Sequence, residues 1–103
     1  MSEQVAYAGN KGEKIRSDCH VTLEVKDSGG LQIDLNSKVQ SLYGESIYDL
    51  CEDILRFFDI RHAQLQVVDT GAIPLVIAAR VEAAIRKLKD DQKEYLMPLI
   101  EEN

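Results

Sequence analysis

The feature that most constrains the fold is a change in the spacing of apolar residues near Asn36. Before it, apolar and polar residues alternate over 21–25 and again over 31–35, which is the period of a half-buried strand. After it, apolar residues recur at three- and four-residue steps as far as Phe58, which is the period of an amphipathic helix. The change of period predicts two strands followed by a helix that packs on them.

The remaining segments extend this pattern. The residues between the first two strands, Asp-Ser-Gly-Gly at 27–30, predict a tight turn and therefore a β-hairpin. A helix is expected over 45–58, because Gly44 interrupts the earlier part of the periodic segment. Alternation over 63–67 predicts a third strand.

The apolar segment 73–78 predicts a fourth strand, which would lie at an edge because Pro74 cannot donate to a strand ladder. Strong helix formers over 80–88 predict a second helix. The predicted order is β-β-α-β-β-α. It corresponds to a two-layer α+β fold with both helices on one face of a mainly antiparallel sheet.

The length of 103 residues allows one small domain. The first part of the chain, residues 1–17, is interpreted as a mobile lead-in, because residues 7–14 combine glycines and charges without a periodic apolar pattern. The folded core is expected over 18–88, and 89–103 is expected to be a charged helical tail.

Charge and hydropathy exclude several classes of function. With 12 basic and 18 acidic residues the net charge is −6, which argues against a nucleic-acid partner. The first residues resemble no signal peptide, and the longest apolar stretch, 72–79, is too short to span a bilayer. We therefore expect a cytoplasmic protein without a membrane partner.

The residues that could support catalysis are few. Cys19 and Cys51 form no CxxC pair, so neither a zinc site nor a disulfide framework is indicated. His20 and His62 are the candidate bases for a cysteine nucleophile, but the sequence does not place them beside either thiol. The sequence contains no HExxH or EF-hand pattern, and we expect no metal site.

Ser17 and Asp18 lie where the lead-in meets the first predicted strand. A serine at such a junction is accessible to a modifying enzyme. Alternatively, either side chain could simply end the loop by hydrogen bonding to nearby backbone.

Several motifs resemble those of the citrate lyase acyl carrier protein family, the gamma subunit. The turn D-T-G-A at 69–72 and the run R-V-E-A at 80–83 are similar to the family's C-terminal signature. Y-G-E-S-I at 43–47 and A-G at 8–9 are similar to two earlier family motifs. The related delta subunit of malonate decarboxylase shares the same overall plan.

The resemblance implies a carrier subunit without catalysis of its own. In the family, a serine is joined by a phosphodiester to 2'-(5''-triphosphoribosyl)-3'-dephospho-CoA, which holds acetyl and citryl groups as thioesters. The implied partners are the alpha (transferase) subunit, the beta (lyase) subunit and the prosthetic-group synthase.

The family pattern at the attachment site is E-S-x-D. If Asp18 is the family aspartate, Arg16 occupies the position of the serine, and attachment requires Ser17 to take over by a shift of one residue. Ala78 also departs from the family, since citrate lyase carriers tend to have arginine there.

Two other interpretations remain open. Arg16 and Ala78 favour an unmodified carrier-like module that acts in docking or structure within a lyase or aldolase-like complex. A small enzyme that uses the cysteines and histidines is the third. The acyl group of a functional carrier could derive from citrate, citramalate or malonate.

Overall fold

Two helices cover one face of a four-stranded sheet in the computed structural model, which describes residues 4–11, 14, 18–37 and 44–89. The elements in chain order are β1 (Gln4–Gly9), β2 (Cys19–Val25), β3 (Leu31–Ser37), α1 (Gly44–Phe57), β4 (Ala63–Asp69) and α2 (Pro74–Leu88). The α+β class and the mainly antiparallel sheet predicted from the sequence are confirmed.

The strands lie in the order β1-β2-β4-β3. β1 pairs with β2 and β2 pairs with β4, both antiparallel, whereas β3 pairs with β4 in parallel. The register aligns Ala6 with Leu23, Leu23 with Leu65, and Leu65 with Ile33 across the four strands. Because side chains alternate along a strand, this row and its neighbours two residues away share one apolar face.

Both helices pack on that face. α2 contacts β1 and β2, whereas α1 contacts β3 and α2. The buried apolar residues of the helices recur at three- and four-residue steps, as expected for amphipathic helices. They are Ile47, Cys51, Ile54 and Leu55 in α1, and Ile77, Ala78, Val81, Ala84 and Ile85 in α2.

The predicted mobile lead-in is wrong for residues 4–9, which form β1 along the edge of the sheet. Ala6 and Ala8 face the helices and are buried, while Val5 and Tyr7 point to the other face. The sequence shows no apolar–polar alternation here, because the outward-facing Val5 and Tyr7 are themselves apolar or aromatic.

The predicted hairpin between 21–25 and 31–35 is wrong, because β4 lies between β2 and β3. The connection from β2 to β3 instead crosses the end of the sheet at which β4 begins. His62 Nδ1 accepts a hydrogen bond of 2.9 Å from the Gly30 N–H, and the Ala63 N–H donates to the Gly30 carbonyl at 3.0 Å. The turn therefore spans two strand spacings, roughly 10 Å, instead of closing directly on β2.

The predicted fourth strand over 73–78 is also wrong, because α2 begins at Pro74. Proline suits the first turn of a helix, where its missing N–H would have no helical partner. The buried residues Ile77, Val81 and Ala84 continue one helical stripe from this segment into the rest of α2.

In the described part of the chain, no helix combines the length and apolar character needed to cross a membrane. The predicted charged tail lies outside the described residues from position 90 onward, as do Arg16 and Ser17.

Candidate functional site

The ends of several elements meet at one edge of the sheet. β1 ends at Gly9, β2 begins at Cys19, and antiparallel pairing places Cys19 opposite Asp69 at the end of β4. The connection from β1 to β2 leaves and re-enters the sheet here. Its two ends are joined by a hydrogen bond of 2.9 Å from the Asn10 N–H to the Cys19 carbonyl.

The carboxylate of Asp18 is the centre of this edge. One oxygen, Oδ1, accepts hydrogen bonds from the Cys19 N–H at 2.7 Å and from Arg80 Nε at 3.1 Å. The other, Oδ2, accepts from Asn10 Nδ2 at 2.9 Å and from Arg80 Nη2 at 3.0 Å. Arg80 therefore binds both oxygens through its planar guanidinium, the geometry that gives strong and directional ion pairs.

The turn after β4 holds the backbone of Asp18. The N–H and the hydroxyl of Thr70 both donate to the Asp18 carbonyl, at 2.9 and 2.8 Å. Asp69, which is buried, shapes this turn by accepting from the N–H groups of Gly71 and Ala72 at 3.0 and 2.8 Å. The D-T-G-A motif is thus a structural clamp on the residue that follows Ser17.

We name Asn10, Asp18, Thr70 and Arg80 the loop clasp. Hydrogen bonding to Arg80, and then to Asn10, lowers the pKa of Asp18 to about 2. Hydrogen bonding to Asp18 raises the pKa of Arg80 in turn. Both groups therefore stay charged at neutral pH, so the clasp suits a positioning role and not general acid–base catalysis.

Gly9 allows the clasp to close. Its φ is +90°, and a Cβ at this position would lie 2.0 Å from the Cys19 carbonyl oxygen and 3.2 Å from Arg80 Cδ. Only glycine combines this backbone conformation with such a close approach.

The structure tests several of the residues singled out in the sequence. Asp18 is held in the clasp, whereas Ser17 and Arg16 lie outside the described residues, so their expected roles stay predictions. The Arg80 guanidinium is bound to Asp18, and the Arg80 side chain is 37% exposed. Ala78, where the resemblance leads us to expect arginine, is 2% exposed and packs in the core.

The cysteines and histidines are not brought together as a nucleophile and a base. Burial raises the pKa of the Cys19 and Cys51 thiols to about 12, so they are not activated. Cys19 points into the core while His20, the next residue, points to the opposite face of the sheet. His62 accepts the Gly30 N–H at the other end of the sheet.

Within the ranges that the structure describes, no group of three or more His, Cys, Asp or Glu side chains could hold a metal ion. Asn10 and Thr70 are the clasp residues that sequence reasoning missed. The D-T-G-A motif marks Thr70 as part of a turn. Its contact with Asp18 joins residues 52 positions apart, and the spacing of residues in the sequence does not predict such a contact.

Comparisons with known proteins identify the family of this chain. Residues 4–88 match the family described as ACP, malonate decarboxylase delta subunit (MdcD). The citrate lyase acyl carrier protein of Vibrio cholerae is 32% identical over 89 residues, which cover 86% of this chain and 91% of that protein. Those of Oenococcus oeni and Fusobacterium nucleatum are 37% and 31% identical, over 75% of this chain and 79% and 82% of the relatives.

The family match includes β1, the start of β2, the D-T-G-A turn and α2, which together carry the loop clasp. The chain belongs to the acyl carrier protein family that includes the malonate decarboxylase delta subunit and is similar over most of its length to citrate lyase acyl carrier proteins.

Proposed function

We propose that this chain is an acyl carrier subunit of a citrate lyase-type complex. The proposed attachment residue is Ser17, linked to 2'-(5''-triphosphoribosyl)-3'-dephospho-CoA through a phosphodiester. The thiol of that group would hold acetyl and citryl thioesters and present them to a transferase (alpha) and a lyase (beta) subunit. A prosthetic-group synthase would load the chain.

The observation that carries this proposal is the loop clasp next to Ser17. Four hydrogen bonds hold the Asp18 carboxylate and two more hold its carbonyl. The proposed attachment residue directly precedes this fixed residue in the chain. A synthase would then meet Ser17 next to a fixed backbone.

The chemistry of the clasp also suits a carrier. Its charged groups neutralise each other in the Asp18–Arg80 pair, and the thiols are buried. A carrier needs a stable body and a tether, since a tethered thioester reaches each partner active site at a high effective concentration. The partners would supply the reacting groups.

The exposed side of α1 is the proposed docking face for these partners. Tyr48 and Phe57 are 42% and 40% exposed, and Asp49 and Asp53 are exposed beside them on the helix. Acidic groups around apolar side chains would favour partner surfaces with basic rims, where charge complementarity speeds encounter.

Intact-mass measurement after co-expression with a prosthetic-group synthase tests the proposal. The wild type should gain the mass of the prosthetic group, and Ser17→Ala should abolish the gain. Ser28→Ala is the matched control, because Ser28 lies in the exposed turn between β2 and β3 and should leave modification unchanged.

Arg16→Ser provides the decisive comparison, because it restores a serine at the family position. A wild type that stays unmodified while Arg16→Ser is loaded would overturn attachment at Ser17. It would favour the second candidate, an unmodified carrier-like module that docks within a lyase or aldolase-like complex, which the arginine at position 16 supports.

A further inference from the structure

The face of the sheet opposite the helices carries an exposed aromatic pair. Tyr7 on β1 is 56% exposed, and its ring centroid lies 5.9 Å from that of His20 on β2, with the planes tilted by 35°. An exposed aromatic side chain beside an imidazole is a surface on which a flat heterocycle can stack.

Two lysines flank this pair. Lys87 reaches the edge of β1 from α2 and donates from Nζ to the Tyr7 carbonyl. Lys11 follows Asn10, which is hydrogen-bonded to the Cys19 carbonyl beside His20. Burial lowers the pKa of His20, and the charges of Lys11 and Lys87 lower it further, as expected for two lysines near the imidazole. Two cations thus flank the aromatic pair in a chain with a net charge of −6.

A shallow depression adjoins Tyr7 on the same face. It has a volume of about 240 Å³ and is lined by Val5, Tyr7, Thr22, Glu24, Gln64 and Gln66. Amide and hydroxyl groups can donate to and accept from the edge of a nucleobase, and Glu24 is the acidic group among the lining residues. The size and polarity suit a single purine beside an aromatic wall.

We propose that Tyr7 and His20, flanked by Lys11 and Lys87, form a docking site for an adenine nucleotide that carries a chain of phosphates. The inference rests on the proposed function, because the occupant would be the nucleotide part of the prosthetic group on Ser17. The base would stack on Tyr7 beside the depression, and the phosphates would lie near the two lysines.

The position of the attachment point supports this occupant. Ser17 immediately precedes Asp18, which the clasp holds at the edge of the sheet, and His20 follows two residues later on the open face. A nucleotide tethered at Ser17 would be attached three residues before His20 in the chain. Tethering would make a site of low intrinsic affinity sufficient, because the local concentration is high.

Titration of the unmodified full chain with ADP, followed by two-dimensional NMR, tests the inference. The largest shifts should occur at Tyr7, His20 and the residues of the depression. Tyr7→Ala should raise the dissociation constant about five-fold or more, the lower range of base–aromatic stacking. Pyrophosphate without a base should bind correspondingly more weakly than ADP.

Two control variants make the same kinds of change, loss of a tyrosine ring and loss of a positive charge, at other surface positions. Tyr48→Ala removes an exposed tyrosine from α1, and Arg61→Gln removes an exposed cation near the opposite end of the sheet. Both should leave ADP binding unchanged, whereas Lys87→Gln should weaken it by at least about two-fold, as expected for loss of one phosphate-attracting charge.

Equal effects of Tyr7→Ala and Tyr48→Ala, shifts centred on the helices, no measurable binding, or equal affinity for pyrophosphate and ADP would each overturn the inference. The test is independent of modification. ADP binding at Tyr7 with no loading of Ser17 would refute the proposed function and the tethered occupant, and would leave only a site for free nucleotide. Loading of Ser17 without ADP binding would refute the nucleotide site and leave the proposed function standing.

Discussion

Arg80 and Asp18, which are 62 positions apart in the chain, form a bidentate ion pair with hydrogen bonds of 3.1 and 3.0 Å. The Asp18 side chain is only 15% exposed, so water competes weakly for its oxygens. The pair joins the residue before β2 to α2, and Asp18 directly follows Ser17 in the chain. It connects the stability of the fold to the geometry of the proposed attachment site.

Asp18→Asn should lower the free energy of unfolding by about 1–2 kcal/mol at neutral pH, since it removes charge-assisted hydrogen bonds and leaves Arg80 without its counter-ion. Urea unfolding measures this change. Glu52→Gln is the control: the Glu52–Arg56 pair is 46% and 69% exposed, and its loss should cost less than about 0.5 kcal/mol.

The same pair predicts a pH dependence. The pKa of Asp18 is lowered from 3.8 to about 2, so its stabilising contribution is complete above pH 4 and is lost as the pH falls toward 2. The difference in unfolding free energy between the wild type and Asp18→Asn should therefore shrink over this range. A difference that stays constant from pH 5 to pH 2 would contradict the assigned pKa.

Gly9→Ala should destabilise the protein more than Gly29→Ala. Both glycines have positive φ, +90° and +100°, so both substitutions incur the same kind of backbone strain. Only at Gly9 does the new Cβ overlap the Cys19 carbonyl, whereas nothing lies within 4 Å at Gly29.

The excess cost at Gly9 should be about 1–3 kcal/mol, typical of overpacking. Thermal or urea unfolding of the two variants measures it. Equal destabilisation would show that the close approach between Gly9 and Cys19 is relieved without cost.

The His20 imidazole should titrate below its ordinary pKa of 6.5, because it is partly buried and lies near Lys11 and Lys87. Lys87→Gln should raise the pKa toward the ordinary value by removing one repulsive charge. NMR titration of the imidazole protons measures both. Lys26→Gln, six residues along the chain and roughly 20 Å away on an extended strand, should have no effect.

Both cysteine thiols should resist alkylation in the folded protein. Cys19 and Cys51 are fully buried, and burial raises the pKa of each to about 12. A thiol-reactive dye should label them at least about 100-fold more slowly than in denaturant, because reaction needs both exposure and thiolate. A Ser28→Cys variant supplies an exposed thiol as the control, and native labelling at its rate would contradict the buried placement.

Local periodicity was enough to predict much of the fold. The alternation in β2 and β4 and the three- and four-residue steps in α1 identify these elements, because each pattern records which side of one segment meets the core. The same reasoning failed at the start of α2, where Pro74 is as compatible with the first turn of a helix as with an edge strand.

These local patterns do not predict which strands pair with each other. Residues 27–30 have the composition of a hairpin turn, yet the connection passes around His62 and places β4 between β2 and β3. Which strands pair is decided by the burial of all inward faces together. A turn contributes only a local preference to that balance.

The sequence by itself determined the class of fold, the apolar face of each main element and, through its motifs, the resemblance to a carrier. Only the tertiary structure decided that Asp18 is held by Arg80 and Thr70, and that Tyr7 and His20 share an open face. These contacts join residues that are distant along the chain. They depend on strand order and register, which arise from the packing of the whole core and not from any local pattern.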